Sequence, residues 1–281
     1  PSDKEIQRAL KKKKGSNLIY FGPGVHNLPN DTLFVPSGTT VYIDGGARVY
    51  GNIFTEGAHD VNIFGRGEVH PDGRGAGVWV RRSKNVRIDG IVVSQLPIGQ
   101  CDSVELTNVK SISYYGWGDG MDVFSSSNVI LDGVFCRNSD DCAAVYASTQ
   151  GFKGGSNNVL VKNATLWADV AHPINIGGHG DPNGMDTVQN VTFRNIDILD
   201  QAEKQIDYQG CLAINPGDNT LVRNITFENI RIEDFRNGQL VNFRISFNPK
   251  YCVSTGRGIQ NVLVKDVTYN GSGENLPIIA G

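Results

Sequence analysis

The chain has 281 residues, a formal net charge of −3 and a pI near 6.0. It therefore carries no basic footprint for nucleic acid, and no run approaches the apolar length of a membrane span. Its five cysteines are odd in number and lack CxxC spacing, which argues against a zinc site.

The chain opens at PSDKEIQ, which is not a signal peptide, and Lys11–Lys14 read as a solvated surface run. From residue 59 a short apolar run opened by Asn or Asp keeps returning. The copies are HDVNIFGRGEV, KNVRIDGIVV, DSVELTNVKSI, SNVILDGVFC, NNVLVKNATLW, QNVTFRNIDIL, RNITFENIRIE and QNVLVKDVTYN. Their first apolar residues are Val61, Val86, Val104, Val129, Val159, Val191, Ile225 and Val262, spaced 25, 18, 25, 30, 32, 34 and 37 residues apart. Apolar and polar residues alternate within each run, as in a strand with one buried face. Strands returning at such intervals, with Gly, Asn and Asp between them and no amphipathic helix, indicate a solenoid. The expected fold is all-β, a right-handed parallel β-helix of eight or more coils, with residues 1–281 as one domain. GENLPIIAG follows directly on a repeat strand, and a solenoid cut there exposes strand edges. An excerpt of a longer, exported protein is expected. Most of the cysteines (Cys101, Cys136, Cys142, Cys211, Cys252) are expected as buried thiols. An oxidising compartment leaves Cys136 with Cys142, or Cys101 with a neighbour, open as disulfides.

Residues at similar offsets from their anchors lie above one another, about 4.8 Å apart per coil. Asp119 lies 15 residues after Val104, Asp140 and Asp141 lie 11 and 12 after Val129, and His172 lies 13 after Val159. Three coils thus bring three carboxylates and an imidazole to one patch. Crowded carboxylates repel, so at least one is expected to hold its proton near neutral pH. An acid of that kind beside an ionised partner is what glycosidic cleavage needs. Asp is also common in β-helix turns, where it bonds backbone N–H groups. Asp122, Asp132, Asp186, Asp197 and Asp266 are assigned there. The adjacent Asp140-Asp141 pair is harder to explain structurally. His179, in GGHGD, reads either as a rim contact or as an ordinary loop histidine.

GDGMD, NSDDCAAV and AHPINIGG resemble the glycoside hydrolase clan that unites polygalacturonases (family 28) with dextranases and isopullulanase (family 49). The resemblance implies a right-handed β-helix, three active-site aspartates (Asp119, Asp140, Asp141), an active-site histidine at His172, and cleavage with inversion. About ten residues, STQGFKGGSN, are extra before His172 relative to polygalacturonases. NLIYFGPGVHNL, GTTVYIDGGARVYGNI, NATLWADVAHPINIGG and QLVNFRIS look closer to family 49. The polygalacturonase Arg-Ile-Lys motif, which grips a galacturonate carboxylate, is replaced by ILDQAEKQIDYQGCLAI, with Lys204 its one cation. A uronate would want a charge-assisted partner, so a neutral α-linked polymer such as dextran is the expected substrate.

The expectation is then an inverting, secreted or periplasmic polysaccharide hydrolase, monomeric, with no cofactor, no metal and no nucleic-acid or membrane partner. Asp140 is expected as general acid, Asp119 and Asp141 as holders of the attacking water, and His172 as the group that tunes them. Trp117, His179, Lys204, Tyr208 and Arg244 are expected sugar contacts, with Tyr146 and Trp167 as further aromatic platforms. Inversion requires acid and base about 6.5–9.5 Å apart. The alternatives are a polygalacturonase-type pectin hydrolase, a Ca²⁺-dependent lyase and a non-catalytic carbohydrate-binding β-helix.

Overall fold

The computed structural model describes residues 17–205, 208, 210–245, 247–272 and 277–281, so Lys11–Lys14 lie outside the described residues. The eight anchors pair in one continuous register, Val61 to Val86 to Val104 to Val129 to Val159 to Val191 to Ile225 to Val262. Two further strands, Asn17–Phe21 and Thr39–Ile43, precede them on the same wall. All named strand pairs are parallel, and none of the described residues is helical. The chain is a right-handed parallel β-helix.

Alternation inside each strand sends every second side chain inward, so Val129, Leu131, Val159, Val161, Val191 and Phe193 are buried with at most 1 % exposure. Rings repeat coil on coil in the same way, and Phe193, Phe227 and Phe243 stack at 5.8 and 5.7 Å. The Asn residues of the repeat have their own function. Asn128, Asn158, Asn190, Asn224 and Asn261 all adopt left-handed backbone, with φ between 52° and 57°. Each donates its side-chain amide to an Asn or Asp one coil earlier, at 2.7–3.1 Å. A short amide tolerates the left-handed turn and bonds along the stack at once.

All five cysteines are free and buried. Cys136 and Cys142 are separate members of the core, which removes the disulfide alternative.

A second wall carries Val123–Phe124, Ala143–Tyr146, Ile174–Ile176, Leu212–Ile214 and Val241–Arg244, paired in that order. The acidic patch sits where the chain enters these strands.

Candidate active site

Backbone hydrogen bonds set the patch before any side chain does. Gly120 N donates to Asp141 O at 2.7 Å, and Cys142 N donates to His172 O at 2.9 Å. Asp119, Asp141 and His172 therefore occupy equivalent places on three successive coils, and their unequal sequence offsets are absorbed by the turns between walls. Gly120 is required there, because a Cβ would lie 2.2 Å from the Cys142 carbonyl. Ser113 and Ser139 donate to the carbonyls of Gly118 and Tyr115, and Asn138 Nδ2 donates to Asp119 O at 3.1 Å. Those bonds hold the loop that delivers Asp119. Ala171, just before His172, is in left-handed backbone at φ 70°, and Trp117 at φ 62°; non-glycine strain of this kind concentrates at functional sites.

Asp119, Asp140 and Asp141 each place one carboxylate oxygen within 4.8 Å of the others. The carboxylates differ sharply in environment. Asp141 Oδ1 accepts from His172 N at 3.0 Å and His172 Nδ1 at 2.7 Å, while Oδ2 accepts from Tyr146 OH at 2.6 Å and Asn175 Nδ2 at 2.8 Å. Burial opposes its ionisation, but the His172 charge and these donors outweigh burial and hold Asp141 at about 2.

His172 is fully buried. Its Nδ1 faces Asp141, and its Nε2 faces the Tyr208 carbonyl. Both nitrogens meet acceptors, so both must donate and the ring is an imidazolium. Burial alone would lower its pKa, but Asp141 overrides that and raises it to about 9.

Asp140 goes the other way. Burial first, and then the Asp141 charge, push it up to about 7. Burial, then Asp140 and Asp141, raise Asp119 well above the carboxylate range. Asp122, which the sequence reading assigned to a turn, lines the same cleft. Burial and Asp119 raise it too, and its Oδ1 is buried without a partner. Asp122 directly precedes the inward-facing Val123, and alternation turns it outward into the cleft.

The cleft over these acids holds about 150 Å³. Of the expected sugar contacts, Trp117, His179 and Tyr208 line it. Trp117 is 63 % exposed at the rim. Burial keeps His179 neutral by lowering its pKa, and its ring meets Tyr146 edge-on at 4.9 Å. Lys204 lines an adjoining groove of about 830 Å³. Arg244 lines neither and ends the strand Val241–Arg244. Tyr146 lines the cleft as well, 5 % exposed and with its hydroxyl donating to Asp141. Trp167 packs under the Arg137 guanidinium at 4.3 Å, outside both hollows.

Sequence reasoning missed Glu203, Lys250 and Tyr251. Glu203 and Tyr251 line both hollows, and Lys250 lines the groove. Gln205 ties two of them together, donating to Glu203 at 2.7 Å and to Tyr251 OH at 3.1 Å. Lys250 Nζ lies 4.8 Å from the Tyr251 ring centroid and 5.4 Å from that of Trp117. These residues arrive on loops from later coils, and no periodicity announces them.

The three clustered oxygens are spaced as ligands to a divalent cation would be. Asp141, however, already accepts four hydrogen bonds, which fills its lone pairs. A buried imidazolium beside it further disfavours a cation. The set fits proton chemistry better than metal binding.

The family described as "Glycosyl hydrolases family 28" matches residues 64–276. A probable endo-xylogalacturonan hydrolase A of Aspergillus fumigatus is 29 % identical over 164 residues, covering 58 % of this chain and 38 % of that protein. A polygalacturonase of Juniperus ashei is 26 % identical over 216 residues, covering 74 % and 39 %. The chain thus spans about two fifths of the length of these relatives. Among solved structures, a family 28 exopolygalacturonase of Yersinia enterocolitica superposes with a TM-score of 0.73 at 15 % identity, covering 99 % of this chain and 64 % of that one. An exopolygalacturonase of Thermotoga maritima gives 0.60 at 12 % identity, covering 97 % and 84 %.

Proposed function

The chain belongs to glycosyl hydrolase family 28, and from that premise we propose that it hydrolyses the α-glycosidic bonds of a galacturonate-containing polymer. The observation that carries the chemistry is the split between neighbouring carboxylates, with Asp140 up to about 7 beside Asp141 at about 2. Two carboxyls pushed apart in this way divide into a proton donor and a permanent anion.

Asp140 acts as general acid. It lines both the inner cleft and the outer groove, so it faces the junction where a leaving oxygen would sit. Asp141 has no lone pair left for water, and its low pKa makes it a weak base. Its part is to hold His172 and, through its charge, to keep protons on its neighbours. Asp119 and Asp140, both raised by burial and by the Asp141 charge, titrate as a pair. The productive form of that pair is the one with its proton on Asp140 and Asp119 ionised to take the water's proton. Inversion is the course for this family.

The substrate assignment departs from the neutral glucan expected from sequence. Leu212, Ala213 and Ile214 are buried and uncharged on the coil where the Arg-Ile-Lys motif would lie. Lys204 and Lys250 nevertheless stand in the groove beside Asp140. Among the described residues neither forms an ion pair within 4 Å, which leaves both ammoniums available to uronate carboxylates. A polymer of this kind is met outside the cell.

Polygalacturonate, xylogalacturonan and dextran, assayed in parallel, test the proposal. New reducing ends from the galacturonans without ultraviolet-absorbing unsaturated ends are expected. Unsaturated ends would make it a lyase, and cleavage of dextran alone would restore the neutral-sugar reading. The anomer first seen by ¹H NMR is expected to be the inverted one.

A further inference from the structure

Along the wall that carries the site, residues on successive coils form an outward row that runs from Phe54 and Trp79 through Pro97 to Asp122. Left open, such a face is a long groove in which a polymer could lie across many coils. Here it is stopped on both sides of the acids.

On the side of the earlier coils, the segment after Ala143–Tyr146 folds back across the wall. Its Phe152 is 2 % exposed and fills the space over Gly99, where a Cβ would lie 2.3 Å from the ring. Phe152 stacks on Phe124 at 6.1 Å, and the Arg82 guanidinium lies 5.0 Å from its centroid. Arg82 also donates to Gly151 O at 3.4 Å. Gln150 of this segment faces the cleft, and among the described residues no coil before Trp117 contributes to its lining. Most of this segment is the stretch that the sequence shows as extra before His172.

On the side of the later coils, the segment ending at Cys252 folds over the cleft. Tyr251 stacks on Tyr208 at 5.2 Å and meets the edges of His179 at 6.4 Å and Trp117 at 6.5 Å. Cys252 Sγ donates to Gly178 O at 3.1 Å. What remains is a hollow of about 150 Å³, small against the ~300–1,000 Å³ of drug-sized sites. Through Trp117, Asp140, Glu203 and Tyr251 it is continuous with the sideways groove of about 830 Å³.

We infer that the site attacks its polymer from a chain end, seating the terminal unit in the inner hollow and leading the rest away through the outer groove. The inference rests on the hydrolase reading above. Asp140, which lines both spaces, then stands at the bond between the terminal unit and the remainder.

The test is a time course on polygalacturonate, with products resolved by chromatography and viscosity followed in parallel. One short product from the earliest times is expected, with viscosity lagging far behind reducing-end release. Oligogalacturonides blocked at one terminus or the other add a check independent of any variant, and one blocked series is expected to lose cleavage. Replacing Gln150–Lys153 by Gly-Gly is expected to shift products toward mixed oligomers and to increase the viscosity loss per bond cut. Mixed oligomers from the unaltered protein, or equal cleavage of both blocked series, would overturn chain-end attack while leaving hydrolysis standing. No cleavage of any galacturonan would overturn both.

Discussion

Asp140 and Asp141 are adjacent in sequence, yet their side chains live in opposite electrostatic worlds, and mutation reads that difference directly. Asp140→Asn keeps the shape and removes the proton, so turnover is expected to fall by about 10²–10⁴-fold. A substrate with a good leaving group, such as an aryl glycoside, should recover much of that loss. Asp119→Asn should lose a similar factor without rescue, because water activation limits it whatever leaves. Equal rescue of both variants would show the roles to be misassigned. His172→Ala strands a buried Asp141 carboxylate, and removing one partner of a buried pair costs about 3–5 kcal/mol. A large fall in melting temperature is therefore expected, with residual activity in whatever fraction folds.

The pH dependence follows from the same groups. Asp140 at about 7 places the alkaline limb of activity near pH 7, since above it the donor is lost. For stability, a raised carboxyl pKa contributes in full below the unfolded value of about 3.9 and is lost as pH rises through about 7. His172, raised to about 9, contributes in full below its unfolded value of about 6.5 and is lost as pH rises through 9. Asp141, depressed to about 2, is lost only as pH falls through that value. The melting temperature should therefore fall steadily from pH 5 to pH 9, and Asp140→Asn should flatten the part of the fall below pH 7. A melting temperature that rises over this range would contradict the assigned ionisation states.

At the scale of the element, the Asn rows hold the turns. Asn190 combines φ 55° with a donated bond to Asn157 Oδ1 at 2.8 Å and an accepted one from Asn224 at 3.0 Å. Asn190→Ala faces a left-handed backbone cost of about 1–2 kcal/mol, plus about 0.5–1.5 kcal/mol per lost hydrogen bond. Asn190→Gly escapes the backbone part and loses only the bonds. Urea unfolding of the two variants separates the contributions, and Gly should be the milder. The strands between these turns were legible in the sequence because alternation and an Asn-led start are local signals. The eight apolar anchors were read as the first apolar residue of each repeated run, and each proved to be its neighbour's register partner.

For the whole molecule, stability should be distributed coil by coil. Leu131 is fully buried between Leu106 and Val161, so Leu131→Ala is expected to cost about 2–5 kcal/mol. Contacts in a solenoid run only to neighbouring coils. Amide exchange should therefore accelerate most in the strands beside residue 131 and least in the strand Leu221–Glu233. Uniform acceleration along the chain would show that the stack unfolds only as one unit.

The parallel β-helix, its main register and the meeting of Asp119, Asp140, Asp141 and His172 were legible along the chain. Those depend on a repeat of period two within strands and one copy per coil, and both are visible along a single chain. That Asp122 and Glu203 join the acids, that Arg244 does not, and that Lys250 and Tyr251 reach back over the cleft emerged only from the folded chain. Loop paths between coils follow no period, so nothing in the sequence indicates how far they return. Ionisation was decided there as well. Asp140 and Asp141 are the same residue type side by side, and what separates them is the His172 imidazolium, with Tyr146 and Asn175, that later coils and the second wall place against Asp141.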